Sequence, residues 1–295
     1  MNIRDLKYLI AVADYHHFGK AAESCFVSQP ALSMQIKKLE KSLGVLLIER
    51  TNKRVFLTET GKLIVQQARE IVCRTEALCE TASQLKDPFC GELRLGIIPT
   101  LAPSLLPLII PELSTLFPKL TLYLVEDTTL NLLKKLNEGH LDCALLALPV
   151  EGDFAAHALF DEEFLLAVPM GHPLAKQTMV NFADLADKTL LLLEDGHCLR
   201  DQALAICHSV NAVESKKFRA TSLETLRYMV AAGVGITLMP KLSCRSNDGV
   251  CYLPFKTLPI PTRTIGFIWR KSTAKKILLI NMVERIRNLG LVNNS

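Results

Sequence analysis

The sequence predicts an α/β protein that consists of an N-terminal winged helix-turn-helix, a long linker helix and a two-lobed α/β regulatory domain. Three observations predict this fold class. Helical apolar spacing followed by a basic hairpin pattern fills the first 60 residues or so, a heptad-like repeat follows from Ile64, and short strands alternate with helices from Cys90 onward. We expect the three parts to span residues 1–57, 58–88 and 89–295, with one lobe of 89–163 plus 268–295 and a second lobe of 164–267.

The composition indicates an ordinary soluble protein. Of its 295 residues, 49% are hydrophobic, and the longest uncharged run, 95–111, is interrupted by prolines, so we expect no membrane span. The first residues lack the basic and apolar pattern of a signal peptide. Nine cysteines without metal-ligand spacing favour a reducing compartment. We therefore expect a cytoplasmic protein that needs no metal or cofactor, in which any disulfide is transient and regulatory.

The basic charge is concentrated at the N-terminus. Residues 1–62 contain ten Lys/Arg and six Asp/Glu, whereas the rest of the chain contains 24 of each. A small basic module on a neutral body is typical of a protein that binds nucleic acid.

The N-terminal module has the order of a helix-turn-helix. Apolar residues recur at helical spacing in Leu6–Ala13 and again in Leu32–Leu43, and a short helix is predicted between them at 19–24. Ser28 is a natural N-cap for the last of these helices, and Gly44 is a natural stop. In such modules the last helix enters the major groove of DNA.

The outward face of this last helix carries polar and basic side chains. Gln can pair with adenine, and Lys can bind guanine or phosphate. The segment 45–57 reads as a hairpin with a basic tip, a wing placed to hold phosphate. A solvated helix face would also explain single lysines, but the helices and the wing together favour double-stranded DNA. The predicted DNA-binding residues are Ser28, Gln29, Pro30, Ser33, Gln35, Lys37, Lys38, Arg50, Asn52, Lys53 and Arg54.

The linker helix repeats apolar residues at alternating spacings of four and three. Two such helices could pair as a coiled coil, although a helix that packs on its own domain would show a similar pattern. A two-fold dimer would present two recognition helices to a symmetric DNA site. The repeat comprises Ile64, Ala68, Ile71, Thr75, Leu78, Ala82 and Leu85.

The regulatory domain is predicted to contain a mostly parallel sheet. Strand patterns at 93–98, 120–126 and 142–148 alternate with helices. Ligands of such sheets bind at the carboxyl ends of the strands, where Thr100 and Thr129 fall. Each threonine could instead cap the helix that follows it.

A pair of cysteines, Cys198 and Cys207, is the most informative feature of the second lobe. His197 and Arg200 are neighbours that stabilise a thiolate at Cys198, and a helix beginning near Gly196 would add positive potential. If the nine intervening steps are helical, the Cα atoms lie roughly 13 Å apart, whereas a disulfide needs about 7 Å or less. The two could therefore bond only if the segment refolds. The alternative is that Cys198 is an unreactive core residue, which its polar surroundings argue against.

The N-terminal part of the chain resembles the LysR-type transcriptional regulators. The resemblance rests on the run Val27-Ser28-Gln29-Pro30-Ala31-Leu32-Ser33 and on matching positions from Leu6 to Gly61, and Met34 departs from it, because many members have a polar residue there. It implies a transcription regulator with a dimerising linker helix and a periplasmic-binding-protein-like regulatory domain, in which the cleft between the lobes contains the functional site.

Within this family the whole chain is similar to members that sense hydrogen peroxide. That similarity rests on Gly196-His197-Cys198-Leu199-Arg200-Asp201 and on 218–233. It implies an activator of antioxidant genes that forms a homodimer or homotetramer, engages RNA polymerase and is reset by thiol reductants of the glutaredoxin or thioredoxin type. It also implies a peroxidatic and a resolving cysteine, Cys198 and Cys207, and a peroxide-site shell of Thr100, Thr129, His197, Arg200, Asp201 and Arg263.

The sequence is also compatible with two other functions. A regulator of the same family could bind a small metabolite near the two threonines, with incidental cysteines. A thiol peroxidase would use Cys198 in turnover, but the DNA-binding module argues against an enzyme. The other seven cysteines are interpreted as unreactive.

Overall fold

A computed structural model describes residues 1–50, 55–84, 87–186, 188–196, 198–209, 213–256 and 259–291. It divides into two compact units, Met1–Lys86 and Asp87–Ser295. The predicted fold class is confirmed, with a winged helix-turn-helix and a long helix in the first unit and an α/β arrangement in the second. Across the described ranges, no helix is both long enough and apolar enough to cross a membrane.

The first unit contains the predicted three helices, a two-stranded hairpin and a fourth, long helix. Ser28 Oγ accepts a hydrogen bond from Ala31 N at 3.4 Å and so caps the third helix, which ends at Gly44 with φ +70°. The hairpin strands pair antiparallel, whereas its tip, 51–54, lies outside the described residues. The elements are α1 Ile3–Tyr15, α2 Phe18–Ser24, α3 Gln29–Leu43, β1 Ile48–Arg50, β2 Val55–Leu57 and α4 Glu59–Gln84.

The long helix α4 has two different halves. Its first half packs on α1 and buries Val65 and Ala68. From Ile71 onward the helix exposes apolar side chains, with Ile71 and Leu78 at 42% and 71% of their surface. The end of the predicted apolar repeat, with the side chain of Ala82 and the whole of Leu85, lies outside the described part. The helix therefore both packs on its own domain and leaves an apolar strip open.

The second unit contains the remaining strands and helices. Its strands are β3 Gly91–Ile97, β4 Leu120–Glu126, β5 Cys143–Leu148, β6 Phe154–Pro169, β7 Thr189–Leu193, β8 Val213–Ala220, β9 Thr237–Pro240, β10 Val250–Leu253 and β11 Thr262–Arg270. Its α-helices are α5 Ala102–Leu116, α6 Thr129–Asn137, α7 Cys198–Ser209, α8 Leu223–Ala231 and α9 Lys276–Asn288.

The expectation of a mostly parallel sheet is wrong. The main sheet has the order β10-β6-β11-β5-β3-β4, with β9 also paired to β6. Within this sheet, β3 pairs in parallel with β4 and β5, while β6 and β11 pair antiparallel with each other and with their other neighbours. The strands β7 and β8 form a separate two-stranded parallel sheet. The antiparallel pairs arise because the chain crosses between the lobes in β6 and returns in β11.

The long strand β6 joins the two lobes. Residues 154–163 of β6 pair with β11, and residues 164–169 pair with β9 and β10. Because β11 pairs with β5 from Thr264 onward, the return to the first lobe lies ahead of the expected boundary at residue 268. One apolar cluster fills the first lobe and two fill the second.

Candidate functional site

Three predicted site residues lie where strands end and helices begin. Thr100 follows β3 and precedes α5, Thr129 is the first residue of α6 after β4, and Cys198 is the first residue of α7 after β7. Positive potential at helix N-termini favours anions and thiolates. The two threonines are at the carboxyl ends of the parallel neighbours β3 and β4, as the sequence predicts.

Thr100 belongs to a buried ionic network. Its Oγ1 accepts a hydrogen bond from Arg263 Nη1 at 2.9 Å, and its carbonyl oxygen accepts one from Nη2 at 3.2 Å. Arg263 is paired with Glu162 through Nη2 and Oε2 at 2.7 Å, and all three side chains are buried. Thr100 therefore does not cap α5, whose N-cap is Leu101. The sequence alone does not predict Glu162, because its place opposite Arg263 depends on the register of β6 and β11.

The Thr129 hydroxyl is buried at the start of α6. Its Oγ1 is buried and has no hydrogen-bond partner among the described residues, so it does not cap α6 either. A buried hydroxyl of this kind requires a hydrogen-bond partner, from solvent, from a ligand or from a residue outside the described part of the chain. Gly196 approaches the same place, since a methyl group on its Cα would lie 3.8 Å from Thr128 Cγ2. The turn before Cys198 thus lies against the start of α6.

Cys198 lies at the junction of the two lobes. It is a half-buried free thiol in the second lobe, and it packs against the apolar cluster of the first lobe. Gly196, with φ +95°, provides the left-handed turn that leads into α7. The helix N-terminus, the polar turn and partial access to solvent are conditions under which a thiol reacts.

Gln202 is a further candidate that the sequence reasoning missed. Its Oε1 is buried and lacks a partner within the described part of the chain. Gln202 follows Cys198 by one helical turn, and residues four apart share a helix face. The four-residue spacing between Cys198 and Gln202 is the sequence pattern that indicates this shared face. Among the described residues, α6 and α7 thus each contribute one buried polar oxygen without a partner, from Thr129 and Gln202.

Arg200 anchors α7 to the neighbouring strands. Its guanidinium donates to Glu214 at 2.8 and 2.9 Å, to Leu193 O at 3.0 Å and, through Nε, to Asp195 at 2.8 Å. The hydrogen bond from Arg200 holds the pKa of the Glu214 carboxyl below its usual value, and the same bond raises the pKa of Arg200. Residues two apart point to different sides of a helix, so Arg200 positions Cys198 through the backbone.

The remaining predicted residues of the peroxide site are either exposed or outside the described residues. Asp201 is in the first turn of α7 and is exposed. His197 lies outside the described residues. Cys207 has helical backbone in α7, so it and Cys198 belong to one continuous helix, but its side chain is outside the described part. Nine helical rises put the two Cα atoms roughly 13 Å apart.

Two other cysteines are in surroundings that suppress reactivity. Burial raises the pKa of Cys244 to about 12 and raises that of Cys143 well above its usual value. Both are therefore protonated at neutral pH, and thiols attack peroxides only as thiolates. Among the described residues, no group of three or more His, Cys, Asp or Glu side chains could hold a metal ion.

The predicted DNA-binding residues lie on α3 and the hairpin. Ser28, Gln29, Pro30, Lys37 and Lys38 are exposed, while Ser33 and Gln35 are half-buried. Arg50 ends β1 with its side chain outside the described part, and Asn52, Lys53 and Arg54 lie in the tip that is not described.

Two family models match this chain, one at each end. Residues 3–62 match the family described as "Bacterial regulatory helix-turn-helix protein, lysR family", and residues 86–288 match "LysR substrate binding domain". The chain is 52% identical over 291 residues to the DNA-binding transcriptional dual regulator OxyR of Escherichia coli K12, with 97% of this chain and 95% of that protein covered.

Two solved structures are also similar. A full-length OxyR variant from Pseudomonas aeruginosa has a TM-score of 0.81 at 37% identity, with 97% of this chain and 95% of that chain covered. A Corynebacterium glutamicum OxyR mutant with hydrogen peroxide bound has a TM-score of 0.66 at 32% identity, with 98% and 92% covered.

Proposed function

Because this chain belongs to the LysR family of bacterial regulatory proteins, we propose that it is a DNA-binding transcription regulator that responds to hydrogen peroxide through Cys198. The similar proteins include hydrogen peroxide-inducible genes activators, among them one from Haemophilus influenzae at 46% identity. The proposed targets are antioxidant genes, and the proposed place of action is the cytoplasm, in contact with RNA polymerase. The proposal makes the chain a regulator and not a turnover enzyme.

The observation that carries the proposal is the junction at which Cys198 meets the first lobe. Cys198 begins a helix and packs against the opposite lobe. The turn before it lies against the start of α6, where the buried hydroxyl of Thr129 has no partner among the described residues. A small polar molecule such as hydrogen peroxide can form the hydrogen bond that this buried hydroxyl requires. Thr100, held by Arg263, lies at the start of the neighbouring helix.

The first chemical step oxidises Cys198. Its thiolate attacks one oxygen of hydrogen peroxide, an S–O bond forms, the O–O bond breaks, and the second oxygen leaves as hydroxide, which takes a proton to become water. Sulfur is oxidised to a sulfenic acid and peroxide is reduced. We assign the orientation of the peroxide to the hydroxyl of Thr129 and the amide of Gln202, whose oxygens are buried without a partner among the described residues. The helix N-terminus at Cys198 adds a positive potential that favours anions.

The second step forms a disulfide with Cys207. The sulfur of Cys207 attacks the sulfenic sulfur, the S–O bond breaks, and water leaves. Since one continuous helix keeps the two Cα atoms roughly 13 Å apart, α7 must unwind before the bond can form. Unwinding withdraws Leu199 and Ala203 from two different apolar clusters of the second lobe. Exposing a side chain such as Leu199 costs about 1.5–3 kcal/mol, so the disulfide must hold the new arrangement.

The regulator acts on DNA as a symmetric assembly. The apolar strip of Ile71 and Leu78 on α4 supports pairing of two chains, and α3 supports entry of each copy into the major groove. We propose that the assembly is a homodimer or a homotetramer. The rearranged α7 would change how the assembly holds DNA, and thiols of the glutaredoxin or thioredoxin type would restore the reduced form by exchange.

The test uses purified full-length protein and promoter fragments selected from a pool by binding. Hydrogen peroxide should change the footprint and raise transcription in a reconstituted reaction, and a dithiol should reverse both effects. Cys198→Ser should abolish the response, and Cys90→Ser, at an exposed cysteine outside the site, should keep it. If Cys198→Ser responds like the wild type, the peroxide proposal is wrong and a metabolite-sensing regulator becomes the better account.

A further inference from the structure

Met34 occupies the middle of the outward face of α3. The buried stripe of this helix consists of Leu32, Ile36 and Leu39, and Met34 lies roughly 200° around the helix from Leu32. Its side chain is 64% exposed. A large apolar side chain therefore lies in the centre of the surface that the module presents to DNA.

The neighbours of Met34 are the side chains that hold DNA in the proposed function. Lys37 and Lys38 are exposed on the same side of α3, and Pro30 is exposed one turn before Met34. Lysines in these positions can bind phosphate or guanine. Met34 itself can make neither contact, because a thioether is only a weak hydrogen-bond acceptor.

On the base edges of the major groove, an apolar side chain at this position can pack against one apolar group, a methyl group. Of the four bases, thymine alone presents a methyl group, at C5, on its groove edge. A single exposed apolar residue needs no explanation on an ordinary surface, but this one is flanked by cations on the face that enters the groove. The flexible side chain of methionine can adjust its conformation to pack against a methyl group.

We propose that Met34 is a specificity-determining residue that packs against the C5 methyl group of a thymine in each half-site. The inference rests on the DNA binding proposed above and adds the base that is read. Burial of one methyl group corresponds to about a four-fold change in Kd. The selected sites should therefore contain a thymine that Met34 prefers over cytosine and over uracil.

Deoxyuridine provides the test, because replacing thymine by uracil removes the methyl group and leaves the base pairing unchanged. Sites selected by the wild type would be scanned with one deoxyuridine at a time, and Kd would be measured at fixed salt. We expect one position in each half-site at which uracil weakens wild-type binding by about four-fold. Met34→Ala should reduce this ratio to near one, and Met34→Leu should retain most of it.

Leu63→Ala is the matched control, since Leu63 is 65% exposed but lies on α4, outside the reading helix. It should keep the thymine preference of the wild type. An equal thymine-to-uracil ratio in Met34→Ala and the wild type would overturn the inference, as would a scan in which no thymine is sensitive. A wild-type protein that selects no DNA site at all would instead contradict the proposed function.

Discussion

Arg263 and Glu162 face each other across the two strands that join the lobes, and their side chains form an ion pair of 2.7 Å in the interior of the protein. Glu162 also accepts a hydrogen bond from Leu242 N in the second lobe, and Arg263 donates to Thr100 in the first. This pair therefore connects the backbone of both lobes to one wall of the candidate peroxide site.

Removing one member of the pair should destabilise the protein strongly. Glu162→Gln leaves the buried guanidinium of Arg263 without a counter-charge, and we expect the free energy of unfolding to fall by about 3–5 kcal/mol. Chemical denaturation at pH 7 measures this. Glu59→Gln is the control, because its pair with Lys62 is exposed and should contribute no more than about 0.5 kcal/mol. Equal effects of the two substitutions would contradict the assignment of the buried pair.

The anchor between Arg200 and Glu214 should make α7 sensitive to acid. The pKa of Glu214 in the folded protein is lowered from its ordinary value of 4.5, chiefly by the hydrogen bond from Arg200. A lowered pKa stabilises the folded state above about pH 4.5, and the stabilisation is lost as the pH falls through the folded value.

Hydrogen exchange of the α7 amides measures this effect. We expect protection to fall in the wild type as the pH is lowered below 4.5, after correction for the intrinsic exchange rate. Glu214→Gln should be less protected at pH 7 and should lose this part of the pH dependence. Glu151→Gln, at an exposed carboxyl, is the control. A Glu214→Gln variant with the protection and pH profile of the wild type would rule out the anchor.

The single tryptophan reports on a neighbouring histidine. The rings of Trp269 and His157 are stacked, with centroids 4.6 Å apart. Burial lowers the pKa of His157 below 6.5, and the nearby charges of Arg287 and Lys276 lower it further. Because protonated imidazole quenches indole emission, fluorescence should fall with decreasing pH at a midpoint below 6.5. His157→Gln should remove the transition, and a transition unchanged in that variant would show that another group causes it.

The apolar strip on α4 should hold two chains together. Ile71→Lys and Leu78→Lys place a charge in the proposed seam, and we expect each to shift sedimentation from a dimer or larger assembly towards a monomer. Glu70→Lys adds a positive charge on a polar, exposed position of the same helix and should leave the assembly intact. If the assembly is the same in all three variants, the chains pair elsewhere.

The local elements were predictable from the sequence, whereas the connections between distant residues were not. The caps and apolar stripe of α3 and the strand Leu120–Glu126 are encoded within a few residues, and the structure has them at the predicted places. The first half of β6 was missed because polar residues interrupt it, and the antiparallel crossing was missed with it. The pair of Arg263 and Glu162 joins residues 101 positions apart. That the side-chain oxygens of Thr129 and Gln202 are buried without a partner among the described residues follows only from the folded structure.

We expect peroxide to convert Cys198 and Cys207 from members of one helix into a disulfide. Trypsin cleaves after Arg200, so a disulfide would link peptide 189–200 to peptide 201–216, and neither contains another cysteine. Mass spectrometry after brief exposure to micromolar peroxide should find this linked pair in the wild type and a trapped sulfenic acid at Cys198 in Cys207→Ser. Two thiols that stay free while the protein still responds to its inducer would contradict the account.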